Sequence, residues 1–114
     1  MAVAPEIQEL LDRLAASGRP PLHRQSVAQA RAFHVSDAPA QNGPAVPMAA
    51  VADETVPGPG GDLPVRVYTP EGQGPFPIVV WFHGGGWVVG TLDTYDALCR
   101  GLAASVPAVV VSVG

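Results

Sequence analysis

The sequence predicts an α/β fold in which an antiparallel hairpin leads into parallel strands, and two apolar runs with a turn signal support it. Ile78 to Phe82 are five apolar residues without alternation, as in a strand buried on both faces. A helical stretch and a second apolar run, Ala108 to Val113, follow. Strand, helix and strand predict one right-handed βαβ unit. Upstream, a cluster of Pro and Gly residues predicts the hairpin turn.

The predicted hairpin joins a strand over Ala49 to Val56 with a strand over Leu63 to Thr69. The connection, Pro57 to Asp62, consists of Pro, Gly and Asp residues, which favour chain reversal. Valines alternate with Arg66 and Tyr68 in the second strand. We therefore expect this strand to have one solvent-exposed face and to lie near the edge of the sheet.

Two helices are predicted before the hairpin. The first covers Pro5 to Gly18, because proline suits a first turn, glycine suits a helix end and apolar residues recur on one stripe. The stripe consists of Ile7, Leu10, Leu11 and Leu14. A shorter helix, Val27 to Phe33, is capped by Ser26. The stretch from Ser36 to Pro47 is rich in Ala, Pro, Gly and polar residues, which predicts a linker.

A third helix is predicted over Leu92 to Ser105, within the βαβ unit, with Asp93 or Thr94 as its cap. Four of its residues are expected to pack on the sheet. They are Ala97, Leu98, Leu102 and Ala103. Cys99 lies in the interior of this helix, and we expect it to be a structural residue that behaves as a small hydrophobe.

The composition excludes several kinds of partner and site. The chain has 114 residues and a net charge of −4, and its six basic residues are scattered arginines, so nucleic acid is not an expected partner. The apolar runs are too short to span a membrane, and the N-terminus lacks the layout of a signal peptide. Three histidines and one cysteine offer neither a metal-ligand spacing nor an internal disulfide. We expect a soluble cytoplasmic protein without metal or cofactor, and its oligomeric state stays open.

His83 and three glycines, Gly84, Gly85 and Gly86, directly follow the first apolar strand. Consecutive glycines adopt backbone conformations closed to other residues and let backbone N–H groups approach a ligand. The carboxyl end of a parallel strand is also where open α/β sheets place their sites. A phosphate-binding loop is disfavoured, because neither Gly-x-Gly-x-x-Gly nor the Walker pattern is present. The simpler alternative is a glycine-rich turn between a strand and a helix.

This stretch, with Trp87 after it and a helix and an apolar strand beyond, resembles the His-Gly-Gly-Gly motif of the hormone-sensitive-lipase branch of the α/β-hydrolases. Members of that branch are carboxylesterases and lipases. The resemblance covers Val51 to Val113. It implies the N-terminal portion of an α/β-hydrolase core over residues 48–114, and helices and a linker over residues 1–47 that form part of a cap. It also implies a serine hydrolase that acts on small-molecule esters without a cofactor.

The resemblance implies a role for each residue of the motif. The N–H groups of Gly85 and Gly86 form the oxyanion hole, and Gly84 shapes the loop. His83 braces the loop by hydrogen bonding, because the catalytic histidine of the family comes much later in the chain. Trp87 either lines the acyl side of the pocket or packs under the cap.

Family members continue into a Gly-x-Ser-x-Gly nucleophile elbow, and then an acidic residue and a histidine. None of the five serines in this sequence has glycines at both −2 and +2. We therefore expect an N-terminal fragment of an esterase, inactive alone. Two alternatives stay open: a non-enzymatic small-molecule-binding protein on the same fold, similar to the plant gibberellin receptors, and a truncated product without function. The stripe of the first helix either packs on the core or faces substrate from the cap.

Overall fold

The computed structural model describes residues 3–114 and has three α-helices, four strands and a single 3₁₀ turn over Leu22–Arg24. The elements in chain order are α1 (Pro5–Ala16), α2 (Val27–Asn42), β1 (Ala50–Gly58), β2 (Gly61–Thr69), β3 (Ile78–Phe82), α3 (Asp96–Ser105) and β4 (Val109–Val113). Helices and a mixed sheet are therefore present in the predicted order, and the predicted α/β class is confirmed.

The four strands form one sheet in the order β1-β2-β4-β3. β1 and β2 are an antiparallel hairpin, and β2 also pairs with β4 in the antiparallel direction. β3 and β4 are parallel, with Val80 opposite Val111, and α3 makes the connection between them. A parallel pair needs such a crossover, because its two strands run in the same direction. The carboxyl ends of β3 and β4 therefore lie at the same edge of the sheet.

The hairpin is longer than the sequence predicts. Pairing continues to Gly58 opposite Gly61, which leaves Pro59 and Gly60 as a two-residue turn. Gly61 has a φ of +123°, a conformation that residues with a Cβ rarely adopt. Four of the six residues predicted to form the turn, Pro57, Gly58, Gly61 and Asp62, are therefore paired within the two strands.

The expectation of a solvent-exposed face on β2 is wrong. Tyr68 is fully buried and forms the core with Cys99, Ala103 and Val110. The reason is topological: β4 pairs with β2, so β2 is an inner strand, and α3 covers the face that carries Arg66 and Tyr68. A polar end on tyrosine and a long stem on arginine let both side chains lie beneath a helix and still find partners.

β3 has the predicted bounds, but it is not buried on both faces in the described chain. Val79 and Trp81 pack against the core, whereas Ile78, Val80 and Phe82 are exposed on the opposite face. β3 is also an edge strand, since β4 is its only partner among residues 3–114. An uninterrupted apolar run indicates a strand that needs two covered faces. One of those faces is uncovered here.

The second helix is much longer than predicted, and the predicted linker over Ser36–Pro47 is wrong in its first half. α2 continues through Pro39 to Asn42, and an irregular segment follows. A complete capping box starts the helix: the Ser26 hydroxyl accepts from the Gln29 N–H, and the Gln29 side chain accepts from the Ser26 N–H. The C-terminal end of α2 is stabilised by a contact with a distant segment, in which the Asn42 side chain donates to the Thr94 carbonyl over 2.7 Å.

α1 begins at Pro5 and ends just before Gly18, as predicted, but its apolar stripe does not pack on the core. No residue of α1 is buried, and Ile7, Leu11 and Leu14 are each about half exposed. The segment after α1 is joined to α2 by an ion pair between Arg19 and Asp37 (2.6 Å). The neighbouring guanidinium lowers the pKa of the Asp37 carboxyl. The segment after α1, rather than the apolar stripe of α1, is therefore what joins this part of the chain to α2.

α3 starts four residues later than predicted, at Asp96. Neither Asp93 nor Thr94 caps it; instead Thr91 and Thr94 exchange hydrogen bonds between each backbone N–H and the other side chain. Ala103 packs in the core as predicted, whereas Leu98 is exposed, so that part of the packing prediction is wrong. Thr and Asp compete with helical backbone bonds by forming local turns, which delays the helix.

The exposed face and open edge of β3 predict self-association of the 114-residue chain. An edge strand presents unpaired N–H and C=O groups, and β3 adds an apolar face without charge. We expect size-exclusion chromatography to show oligomers or loss of soluble protein as concentration rises. Val80→Lys should shift the chain to monomer, and Leu98→Lys, at an exposed position on α3, should not. A wild-type monomer with strongly protected amides from Val109 to Val111 would contradict the prediction.

Candidate functional site

The glycine loop lies at the carboxyl end of β3, beside the carboxyl end of β4. Its backbone adopts conformations that side chains disfavour: φ is +132° at Gly85, +58° at Gly86 and +109° at Gly90. Trp87 has a φ of +58° as well, which is an outlier for a bulky residue. Strained backbone of this kind is concentrated at functional sites. The loop therefore has a shape that the surrounding contacts must maintain.

A close backbone contact holds the loop at Gly85. Its carbonyl accepts hydrogen bonds from the N–H groups of Val88 (3.0 Å) and Val89 (3.1 Å). A Cβ at Gly85 would lie 1.9 Å from the Val89 carbonyl oxygen, far inside contact distance. Only glycine therefore fits at this position, both for its φ and for the space around it.

The carbonyl of Gly84 is held by two side chains. Nδ1 of His83 lies 2.7 Å from this oxygen, and the Tyr95 hydroxyl donates to it over 3.4 Å. Because a carbonyl only accepts, Nδ1 carries the imidazole proton in this contact. The Tyr95 ring stacks on the His83 ring with 5.1 Å between centroids and 18° between planes. On another side the His83 ring is closely approached by Gly90, where a Cβ would lie 2.4 Å from Nδ1.

The backbone N–H groups from Gly84 to Trp87 are free donors: within residues 3–114 none of them donates a hydrogen bond. They border an open depression of about 330 Å³ lined by His83, the three glycines and Trp87. The Trp87 side chain is fully exposed and contacts no covering element in the described chain. Free N–H groups at an open site can bind an oxygen that carries negative charge.

The helix α2 contacts both ends of the segment that follows the glycines. Nε of Arg31 donates to the Val88 carbonyl over 2.7 Å, and the Asn42 side chain donates to the Thr94 carbonyl. The ring of His34, on the same helix, lies 6.3 Å from the Tyr95 ring, measured between the two centroids. The sequence does not predict these contacts, since Arg31 and Val88 are 57 positions apart and carry no local signal of pairing. Tyr95 is likewise a residue of the site that the sequence does not predict.

A cluster of charges fixes the start of α3 against the hairpin. Arg66 on β2 pairs with Asp53 on β1, with Asp93 (2.9 Å) and with Asp96 (3.3 Å). Asp96 also accepts from the Tyr68 hydroxyl (2.9 Å). Hydrogen bonding to Asp53 raises the pKa of the Arg66 guanidinium and lowers that of the Asp53 carboxyl. Burial, and then the Asp96 carboxylate, raise the pKa of the Tyr68 phenol.

Cys99 and His23, two residues of types that often act in catalysis, have no part in this site. Cys99 is fully buried and free of disulfides, and burial raises the pKa of its thiol, so it lacks the thiolate character of a nucleophile. His23 is exposed in the 3₁₀ turn. In the part of the chain that the structure describes, no three His, Cys, Asp or Glu side chains cluster as metal ligands do. None of the described helices is long and apolar enough to cross a membrane.

Gly85→Ala and Gly84→Ala make a matched test of this loop. Gly85→Ala places a Cβ against the Val89 carbonyl and should cost about 1–3 kcal/mol of local stability through backbone strain alone. Gly84→Ala meets open space without a positive φ and should be tolerated. Amide hydrogen exchange at Val88 and Val89 reports the result, because both N–H groups donate to the Gly85 carbonyl. Equal exchange in the two variants would show that the close contact does not maintain the loop.

Comparison with known proteins places these features in a wider group. A family model described as the alpha/beta hydrolase fold matches residues 79–114, which begin in β3 and include the glycine loop. Among curated proteins, the carboxylic ester hydrolase LipN of Mycobacterium tuberculosis is 56% identical over 50 residues, covering 44% of this chain and 13% of LipN. The carboxylesterase NlhH of the same organism is 51% identical over 53 residues, covering 46% of this chain and 17% of NlhH.

Solved structures match over nearly the whole chain. The ester hydrolase EH1AB1 from the metagenome of Lake Arreo is 32% identical with a TM-score of 0.89, covering 98% of this chain and 37% of that one. A hyperthermophilic esterase from the archaeon Pyrobaculum calidifontis is 35% identical with a TM-score of 0.83, covering 99% and 34%. The chain thus spans about a third of the length of these structures, and 13% and 17% of the two curated relatives. It has the N-terminal part of an α/β-hydrolase fold, and its resemblance to the hormone-sensitive-lipase-like branch of that superfamily is confirmed.

Proposed function

We propose that this chain supplies the oxyanion-hole part of a serine carboxylesterase or lipase-type hydrolase. The observation that carries the proposal is the set of free N–H groups from Gly84 to Trp87, at the carboxyl end of β3. The matching relatives are ester hydrolases, which supports the reaction class. The site of an α/β sheet lies at this edge of the strands.

In the proposed reaction a serine outside this chain attacks an ester carbonyl, and a histidine, also from outside, takes its proton. The former carbonyl oxygen then carries negative charge. The N–H groups of Gly85 and Gly86 donate to it, and the N–H of the residue after the serine completes the hole. Donors that are already in place need no reorganisation as charge develops, and each one typically contributes about 2.7–4 kcal/mol.

His83 is proposed to brace the loop rather than to act as the base. Its Nδ1 is committed to the Gly84 carbonyl, and its ring is held between Tyr95 and Gly90. Within residues 3–114 no hydroxyl or thiol is hydrogen-bonded to the other ring nitrogen, Nε2, as a nucleophile would be to its general base. The contacts of His83 instead stabilise the conformation of the loop, through the hydrogen bond to the Gly84 carbonyl.

Residues 1–47 are proposed to form part of a cap over the site, next to the core portion of residues 48–114. α1 has no buried residue, so its apolar stripe is available to face substrate, and α2 contacts the loop through Arg31. Trp87, fully exposed beside the free N–H groups, is proposed to line the acyl side of the pocket. The substrate is proposed to be a small-molecule ester, because the matching relatives are ester hydrolases.

The 114-residue chain should hydrolyse no ester above background, because donors without a nucleophile have no intermediate to stabilise. Purified chain is assayed with acetyl and butyryl aryl esters against a buffer blank. Saturable turnover that disappears in Gly85→Pro would contradict this prediction and place a nucleophile within these residues.

In the polypeptide encoded by the complete gene, Gly86→Pro should lower kcat by at least about 100-fold with a much smaller change in KM, because it removes one oxyanion donor and because the φ of proline, about −65°, does not fit the φ of +58° at Gly86. Gly86→Ala is the matched control: it keeps the N–H, meets no atom within 4 Å and carries only the strain of a φ of +58°. Acetyl and butyryl esters should be preferred over long-chain esters. Equal losses in both variants would indicate general unfolding, and ligand binding without turnover would support the binding-protein alternative.

A further inference from the structure

We infer that Tyr95 is a positioning residue that fixes the orientation of the Gly84–Gly85 peptide, a proposal that rests on the proposed function of the glycine loop. Tyr95 is the last residue before α3. Its ring stacks on His83, and its hydroxyl donates to the Gly84 carbonyl. The residue thus acts on the loop twice, once through the imidazole and once through the carbonyl.

The geometry of a peptide explains why the carbonyl matters. The C=O of Gly84 and the N–H of Gly85 belong to one planar unit and point in opposite directions. Fixing the carbonyl therefore fixes the direction in which the Gly85 N–H points. Gly84 itself offers no resistance to rotation, because no atom lies within 4 Å of the position where its Cβ would be and glycine is conformationally permissive.

His83 alone is a poor clamp for this peptide, because it is the neighbour of Gly84 and its ring turns about its own side-chain bonds. Stacking against Tyr95 fixes the plane of the imidazole, and that plane aims Nδ1–H at the carbonyl. Gly90 approaches the imidazole closely as well, so the ring is confined between an aromatic face and a backbone segment. The position of Tyr95 therefore sets the position of His83.

Tyr95 is itself well anchored, because the residues on both sides are tied to other elements. Thr94 is buried, is paired with Thr91, and has its carbonyl bound by the Asn42 side chain. Asp96 is held by Arg66 on the sheet. Because Thr94 is bound to α2 and Asp96 to the sheet, the position of Tyr95 relative to both is fixed, and its contacts with His83 and Gly84 fix the glycine loop in turn.

Two variants separate a positioning role from plain packing. Tyr95→Phe keeps the stacked ring and removes the hydroxyl, whereas Tyr95→Leu removes both. Leu98→Ala, at an exposed position on α3, is the control. In the 114-residue chain carrying Val80→Lys, which we expect to be monomeric, ¹⁵N NMR of the His83 imidazole should show the Nδ1–H tautomer at a pH where the ring is neutral, because Nδ1 faces a carbonyl.

Tyr95→Leu should convert this signal to a mixture of tautomers and should raise amide exchange at Val88 and Val89 by about 5- to 150-fold, as the loss of one stacked pair and one hydrogen bond implies. Tyr95→Phe should keep the Nδ1–H tautomer and give a smaller rise. If Tyr95→Leu unfolds the chain, Tyr95→Phe decides the matter. An unchanged tautomer and unchanged exchange in the folded variants would overturn the inference.

A second arm distinguishes failure of this inference from failure of the proposed function. In the polypeptide encoded by the complete gene, Tyr95→Phe should lower kcat several-fold with little change in KM, and Leu98→Ala should change neither. If that polypeptide has no esterase activity while the tautomer and exchange results hold, the proposed function fails and the positioning role stands. If activity is present and Tyr95→Phe and Tyr95→Leu leave kcat unchanged, the positioning role fails and the proposed function stands.

Discussion

The carboxylate of Asp96 is the interaction on which the rest of this structure depends. Asp96 is the first residue of α3, and its carboxylate accepts hydrogen bonds from Arg66, Tyr68 and Arg100. Its side chain is only 23% exposed and that of Arg66 is 16% exposed, so solvent cannot replace a lost partner fully. This one group joins β2 to the helix that crosses from β3 to β4. The crossover, the parallel pair and the loop at its end all require α3 to lie where Asp96 holds it.

Local signals explain why the sequence predicts the βαβ unit, the hairpin and the candidate loop. The apolar run of β3, the glycines after it and the turn residues between β1 and β2 each act within a few positions. Whether Gly85 and Gly86 serve an oxyanion stays a prediction. The bend of the loop, its strained φ values and the close approach of Val89 are structural facts consistent with the requirement for glycine.

The errors of prediction arise from pairings between distant segments. Tyr68 is read as solvent-facing because its strand alternates, yet β4 inserts beside β2 and brings α3 over that face. β3 shows the opposite error. Its uninterrupted apolar run predicts a strand buried on both faces, but no element within residues 3–114 covers the face of Ile78, Val80 and Phe82. α2 extends past Pro39 because its end is bound by a residue 52 positions away. No window of sequence contains both partners of such a contact.

The glycine loop shows how a flexible composition becomes a fixed site. Three adjacent glycines lose more conformational entropy on ordering than any other residues would. External contacts offset that cost: Val88 and Val89 bind one carbonyl of the loop, and His83 and Tyr95 bind the one before it. Within residues 3–114, every hydrogen bond that holds the glycines uses a carbonyl, so the N–H groups from Gly84 to Trp87 stay free. A loop held by its acceptors leaves its donors available, as the proposed oxyanion role of Gly85 and Gly86 requires.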